Sequence, residues 1–393
     1  MSKHIAFFNI PAVGHVYPTL AVVAELVRRG YRVSYTTIAK RAPVVSEQGA
    51  TVVPYTSTRP ADTDPGIQVP ERTAYIGDSL LAFAEEAEAT IGQLEPAFAE
   101  DRPDLVVLDC MAFAGRILAA KWGVPTALSW PVLASNEHWS VGLEFGTFTP
   151  DDPGYLAYLD RLSALLAAHG LAVPPERFLT TPVPRRQIAF FPRSFQYRNE
   201  LFADSVCFVG PCIRQQPAAT RWQPPDDKPV VLVTLGTIHN RNLDFYRTCL
   251  TAFADSHWHV VLAVGERTDP AALGPAPDNV EVHQTVPQLG VLAHAAVMVN
   301  HGGMGGVMEA LSYGVPVVAV PQTLEQEANA ARLTELGVGT ELRGTPSAPA
   351  LREAVQAVAK DEAVGQRVLQ MRYEILTAGG TGRAADVVEE CLS

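Results

Sequence analysis

Residues 297–326 read V-M-V-N-H-G-G-M-G-G-V-M-E-A-L-S-Y-G-V-P-V-V-A-V-P-Q-T-L-E-Q, and this stretch decides how the chain is understood. A short apolar run (297–299) ends in Asn300 and His301, followed by glycines at 302, 303, 305 and 306. A helix then carries Glu309, and a second apolar run (315–320) ends in Pro321-Gln322, with Glu325-Gln326 close behind. A strand, a glycine turn and a helix start form an anion site, because unpaired backbone N–H groups and the helix dipole point at one spot. Glycines let a bulky phosphate approach the backbone. The expectation is a nucleoside diphosphate held here, with its sugars reaching Glu309 and Glu325-Gln326.

The same alternation of apolar run and helical segment extends in both directions. Downstream of residue 229, strands are expected at 230–235, 259–264, 280–283, 297–300, 315–320 and 340–342. Helices are expected near 244–253, 306–312, 327–335, 348–359 and 362–376. Upstream, a strand at 4–8 is followed by a loop (9–15) and a helix starting near Pro18, since proline suits a first helical turn. Further strands are expected at 31–36, 51–54, 105–109, 126–130, 188–191 and 207–209. Strands alternating with helices imply an α/β fold with parallel sheets covered on both faces. A proline-rich break at 211–229 divides the chain into a first domain (1–210), a linker, a second domain (230–376) and a terminal segment (377–393). Two such halves imply a cleft into which the carboxyl ends of both sheets face, with a ligand for each.

Composition narrows the function. The 393 residues favour two domains, and 47% apolar content is ample for packed cores. A net charge of −12, from 30 basic and 42 acidic residues, argues against nucleic acid as a partner. Five scattered cysteines without a C-x-x-C favour a reducing compartment, so a cytoplasmic protein is expected. No apolar run reaches the ~18–20 residues that a membrane span needs.

Three groups of residues are candidates for chemistry. His15 stands in the first strand-to-helix turn beside Gly14, and its near-neutral titration suits a general base acting on a hydroxyl. Asp109 ends another apolar strand and is placed to orient His15. The plainer alternatives are a histidine that caps its loop and an aspartate that caps the helix start before Met111. Gly236 and Thr237, after the strand at 230–235, offer donors to phosphate oxygens. In the opening stretch, His301 and the amides of 303–307, including Gly303, Gly305 and Gly306, suit a diphosphate. Glu309 suits ribose hydroxyls, and Glu325 and Gln326 suit a hexose. The glycines do not form G-x-G-x-x-G, which disfavours a dinucleotide redox cofactor. Asp62-Thr63-Asp64 lies in a proline-rich loop and reads as solvated, and His257 and His259 lack further zinc ligands. No metal site is expected. Trp130, Trp139, Phe145 and Phe148 are candidates for an apolar acceptor wall, or ordinary core aromatics.

Together, Gly14-His15-Val16-Tyr17-Pro18, N-V-E-V-H-Q-T-V-P-Q at 279–288, residues 301–309 and residues 321–326 resemble the inverting glycosyltransferases. That family includes bacterial macrolide glycosyltransferases and plant and animal UDP-sugar transferases; the macrolide and natural-product branch fits best, over nearly the whole chain. The resemblance implies the GT-B architecture, two Rossmann-like domains with the acceptor in the first and the nucleotide sugar in the second. It implies His15 as base and Asp109 as its partner, His301 and the amides near Gly305 and Gly306 on the diphosphate, Glu309 on the ribose, and Glu325-Gln326 on the sugar. It implies that Val286 offers its backbone to the nucleobase and places Gln288 among the donor residues. It implies a UDP-glucose-type co-substrate, no further cofactor, a small hydrophobic acceptor, a monomer or weak dimer, and a last helix packed on the first domain. The chain departs from the family pattern at Thr285, where a tryptophan usually stacks on the base, at Asn300, where threonine often stands, and at Glu325, for the commoner aspartate. Two rival readings are a nucleotide-sugar epimerase and a silent sugar-nucleotide-binding partner protein.

Overall fold

The computed structural model describes residues 2–59, 75–146, 149–181, 184–214, 222–237 and 240–392. It divides the chain into two compact units, one of residues 1–213 and 378–393 and the other of residues 214–377.

The first unit is built on seven strands: β1 (His4–Phe8), β2 (Arg32–Thr37), β3 (Thr51–Pro54), β4 (Leu105–Asp109), β5 (Thr126–Trp130), β6 (Arg186–Ala189) and β7 (Val206–Phe208). Their order is β3-β2-β1-β4-β5-β6-β7, and every pairing is parallel. Every residue of β1 and of β4 is buried, as parallel strands covered on both faces require. Strand β6 lies upstream of the expected 188–191, because its partner β5 pairs Ala127 with Arg186 and Trp130 with Ala189, and Pro192 follows soon after. The second unit has six strands: β8 (Val230–Thr234), β9 (His259–Ala263), β10 (Val280–His283), β11 (Ala295–Asn300), β12 (Val317–Ala319) and β13 (Gly339–Glu341). Their order is β10-β9-β8-β11-β12-β13, again parallel throughout.

Each sheet therefore has one place where the strand order reverses direction. In the first it lies between β1 and β4, with Phe8 beside Leu108. In the second it lies between β8 and β11, with Thr234 beside Asn300. Loops leaving two adjacent strands there diverge to opposite faces and leave a crevice at the carboxyl ends.

The chain's last helix, α13 (Gly380–Glu390), belongs to the first unit's core. Ala384, Ala385, Val387 and Val388 are fully buried among Ile5 and Phe7 of β1 and Val16, Leu20 and Val23 of helix α1 (Val13–Arg28). Arg29 ties the pair of helices together, donating to Asp386 and Glu389 at 2.7 Å each. No helix among the described residues is long and apolar enough to cross a membrane.

Candidate active site

Helix α1 starts at Val13, five residues before Pro18, so His15 sits inside the first helical turn and not in a loop ahead of it. The turn closes through the His15 and Val16 N–H groups, both donating to the Ala12 carbonyl at 3.0 Å. Pro18 lies inside the helix and has no N–H to give the Gly14 carbonyl one turn earlier. Asn9, at the end of β1, donates its side-chain amide to the His15 carbonyl at 2.9 Å and fixes the turn.

This placement aims the imidazole at the end of β4. His15 Nδ1 lies 2.7 Å from Asp109 Oδ2. The Asp109 side chain is fully buried and the His15 side chain is 16% exposed. The other carboxylate oxygen, Oδ1, accepts the Met111 N–H at 2.9 Å. The helix-cap reading of Asp109 is not met, because α4 (Phe113–Trp122) has Ala112 as its N-cap with no capping side chain; Asp109 holds the turn ahead of it and contacts His15. A carboxylate only accepts, so the hydrogen between them sits on Nδ1 and Nε2 is the basic nitrogen of the ring. The Cys110 thiol completes a compact cluster with these two residues, buried beside them.

In the second unit the elements at the switch point build a cradle. Helix α9 (Met304–Ser312) starts at Met304, two residues earlier than expected. Gly305 and Gly306 therefore fall within its first turn, where N–H groups have no intrahelical acceptor. Its N-cap is Gly303, which brings no capping side chain. By contrast α10 (Leu324–Leu336) is capped by Thr323 and α11 (Ala348–Lys360) by Ser347. The His301 ring is wedged between Gly236 and Gly303: a Cβ on either glycine would collide with it. Gly236 also has φ +73°, and its carbonyl accepts from the Asn240 side chain at 2.7 Å. Thr237 is exposed beside it.

Glu309 lies one turn further along α9 and accepts from Gln288 Nε2 at 2.5 Å. Gln288 begins α8 (Gln288–Leu292), so two residues placed apart in the sequence form one pair. Burial pushes the Glu309 carboxyl above its usual range, against the opposing pull of the Gln288 hydrogen bond and the Arg214 charge. Helix α10 begins at Leu324, so Glu325 and Gln326 are in its first turn. Gln326 is buried, and its Oε1 accepts the Gln322 N–H at 2.9 Å, so it shapes the turn as well as facing this region. Thr285 is exposed and Val286 half-buried in the link between β10 and α8.

Two residues were not singled out for this work by the sequence. Asn300 Oδ1 accepts the Gly302 N–H at 2.7 Å, and Asn329 Nδ2 donates to the Gly302 carbonyl at 2.9 Å and to Glu325 Oε1 at 3.2 Å. Both asparagines are fully buried and hold the glycine turn from either side. The available signals were an amide closing an otherwise apolar strand and an amide four residues after Glu325, on the same helix face.

Of the aromatics read as an acceptor wall or as ordinary core, Trp130 and Trp139 are buried. Trp139 is 2% exposed, stacked on Tyr197 at 5.6 Å and edge-on to Phe202, as a core residue is. Trp130 is 9% exposed and donates its indole N–H to Gln187 at 2.7 Å. Phe145 is half-buried against Tyr197. Phe148 and the Asp62-Thr63-Asp64 run lie outside the described residues.

Residues 247–392 match the family model described as erythromycin biosynthesis protein CIII-like, C-terminal domain. The chain is 40% identical to demethyllactenocin mycarosyltransferase of Streptomyces fradiae, over 99% of this chain and 87% of that one. The chain is a natural-product glycosyltransferase of the macrolide type. It is also 38% identical to the NDP-glycosyltransferase YjiC of Bacillus licheniformis, over 100% of this chain and 98% of that one. The crystal structure of CalG4, the calicheamicin glycosyltransferase, superposes on this glycosyltransferase with a TM-score of 0.86 at 40% identity, covering 100% and 98% of the two chains. The GT-B fold class read from the sequence stands on these likenesses and on the two parallel sheets.

Proposed function

We propose that this glycosyltransferase moves a hexose, glucose in the first instance, from a nucleoside diphosphate to a hydroxyl of a small hydrophobic acceptor, with inversion at the anomeric carbon. The observation that carries the proposal is the 2.7 Å contact between His15 Nδ1 and the buried Asp109 carboxylate. Nε2 takes the acceptor proton as the acceptor oxygen bonds to the anomeric carbon. The bond from that carbon to the diphosphate oxygen breaks, and the diphosphate leaves with the electron pair. Asp109 stabilises the imidazolium that forms.

His301 and the uncapped amides of Gly305 and Gly306 meet the growing charge on the diphosphate, the electrostatic role that oriented donors serve best. Glu309, held by Gln288, accepts from the ribose, while Glu325 and Gln326 take the sugar hydroxyls. Thr285 presents no aromatic face, so the nucleobase is held through the Val286 backbone. The nucleoside diphosphate is supported by the likeness to the NDP-glycosyltransferase of Bacillus licheniformis. Cofactor-free, metal-independent turnover belongs to the same proposal.

Replacing His15 with alanine tests it. Turnover with UDP-glucose and a hydrophobic acceptor panel should fall about 10²–10⁴-fold. Donor affinity by calorimetry should stay within about twofold, since no donor contact is removed. A His15→Ala enzyme that turns over like the wild type overturns the assignment.

A further inference from the structure

A cavity of about 560 Å³ lies wholly within the first unit, at the amino end of β5 and reaching in to Leu108. Neither His15 nor Asp109 is among its lining residues. Its wall is mixed, part polar and part apolar: Leu108, Ala120, Val124 and Leu392 give it an apolar strip, and exposed Arg185 stands at its edge. Arg116, on α4, lines it and is only 5% exposed.

Arg116 is an unusual residue to bury. Its guanidinium carries five N–H donors and a fixed charge. Among the described residues these donors have no hydrogen-bond acceptor and no carboxylate partner; the recorded neighbour is the Phe178 ring, 5.8 Å away. Burial lowers its pKa to about 10, with only the Cys110 thiol and Tyr158 hydroxyl opposing, so it remains charged at neutral pH. Buried charges in folded proteins are paired, and a guanidinium left alone is strongly unfavourable. Arg116 lines the cavity, so a ligand held there can supply that partner. Guanidinium forks suit carboxylates. The volume lies in the range of ligand pockets, far more than an inorganic ion fills.

We propose that this cavity binds an organic carboxylate with an apolar body, its head on Arg116 and its chain along Leu108, Ala120 and Val124. The site is separate from the transfer chemistry and stands whether or not His15 is the base.

Thermal melts and calorimetry of the full chain with sodium octanoate test it, with octanol and sodium phosphate as matched probes. Octanoate should bind saturably and raise Tm with its concentration, as ligands of the folded state do. Octanol and phosphate should each bind more weakly by about tenfold or more. In Arg116→Met, an apolar side chain of similar length replaces the charge; the fold should persist and the octanoate response should vanish. Ala120→Phe keeps Arg116 and fills the volume, and should also lose the response, so the test survives a failure of the first variant to fold. Three outcomes overturn the proposal: octanol or phosphate matching octanoate, a response retained in either folded variant, or no saturable octanoate binding.

Discussion

The pairing of His15 with Asp109 shows how one carboxylate serves both a backbone turn and a ring. Asp109→Asn retains an oxygen for the Met111 N–H, so the turn should survive. An amide that instead donates its N–H to the ring would hold Nδ1 as the acceptor and put the hydrogen on Nε2, the wrong atom for a base. Turnover should fall by roughly 10²-fold or more, with donor affinity unchanged, which initial rates and donor titration will show. Glu309 offers a second test, in pH. Its folded-state pKa is raised by burial, so the folded chain holds that proton more tightly than the unfolded chain. Stability from this group is fully present below the unfolded-state value and is lost as pH rises through the folded one. Glu309→Gln keeps an oxygen for Gln288 and carries no charge, so its Tm should exceed the wild type's near neutral pH. The gap should shrink on acidification through the raised value. Donor affinity should move the other way, because the ribose then faces an amide in place of a carboxylate. Melts at a series of pH values, with donor titrations alongside, read both effects, and a Tm below the wild type's at neutral pH rejects the burial argument.

The glycine turn between β11 and α9 is the element on which the donor half depends. Gly302 has φ +80°, and an added Cβ would stand 2.9 Å from the Gln326 carbonyl. Gly302→Ala should cost about 1–3 kcal/mol and weaken donor binding, because relief means moving either the turn or the start of α10. Asn329→Ala removes two hydrogen bonds and leaves the Gly302 carbonyl unpaired, a loss of about 1–3 kcal/mol. It should raise the donor KM more than it lowers kcat; an equal fall in kcat and kcat/KM would place Asn329 in the transition state instead. This turn also shows what the sequence made legible. The strand, the glycines and the helix were readable because apolar runs and glycine punctuation are local signals. The start of α9 was placed at 306 because two adjacent glycines look like a loop, whereas the structure uses their free N–H groups as the first turn. The α1 start was misplaced for the mirrored reason: Pro18 looks like a helix beginning, but the Ala12 carbonyl had already closed a turn. The clasp of Asn300 and Asn329 was not legible, because it joins residues 29 positions apart through buried side chains. The aromatics at 130 and 139 were open to either reading, since a buried and a ligand-facing tryptophan look alike in a sequence.

The division of the chain into units is discontinuous, and this has consequences for its stability. The last sixteen residues fold with the first 213, not with the segment that precedes them. Helix α13 supplies fully buried Ala384, Ala385, Val387 and Val388 to a core shared with α1 and with strands β1, β2, β4, β5 and β6. Fully burying a valine contributes about 1.5–3 kcal/mol. The two valines and the alanines together approach the whole net stability of a domain, about 5–15 kcal/mol. The Arg29 contacts with Asp386 and Glu389 are partly exposed and should each add only about 0.2–1 kcal/mol. These magnitudes rank three variants. Arg29→Ala should lower the Tm of the full chain modestly, by about 2–4 °C. Val388→Ala should cost more, about 2–3 kcal/mol, because two buried carbons are lost and a cavity is left in a closed core. Ending the chain after Thr377 should unfold the first unit altogether while residues 214–377, which have their own sheet and core, remain folded. Limited proteolysis of the truncated chain should then release a resistant fragment of the second unit and digest the rest. A fully resistant first unit without α13 would mean that the sheet and α1 close their core alone, and that the contribution of the last helix lies elsewhere.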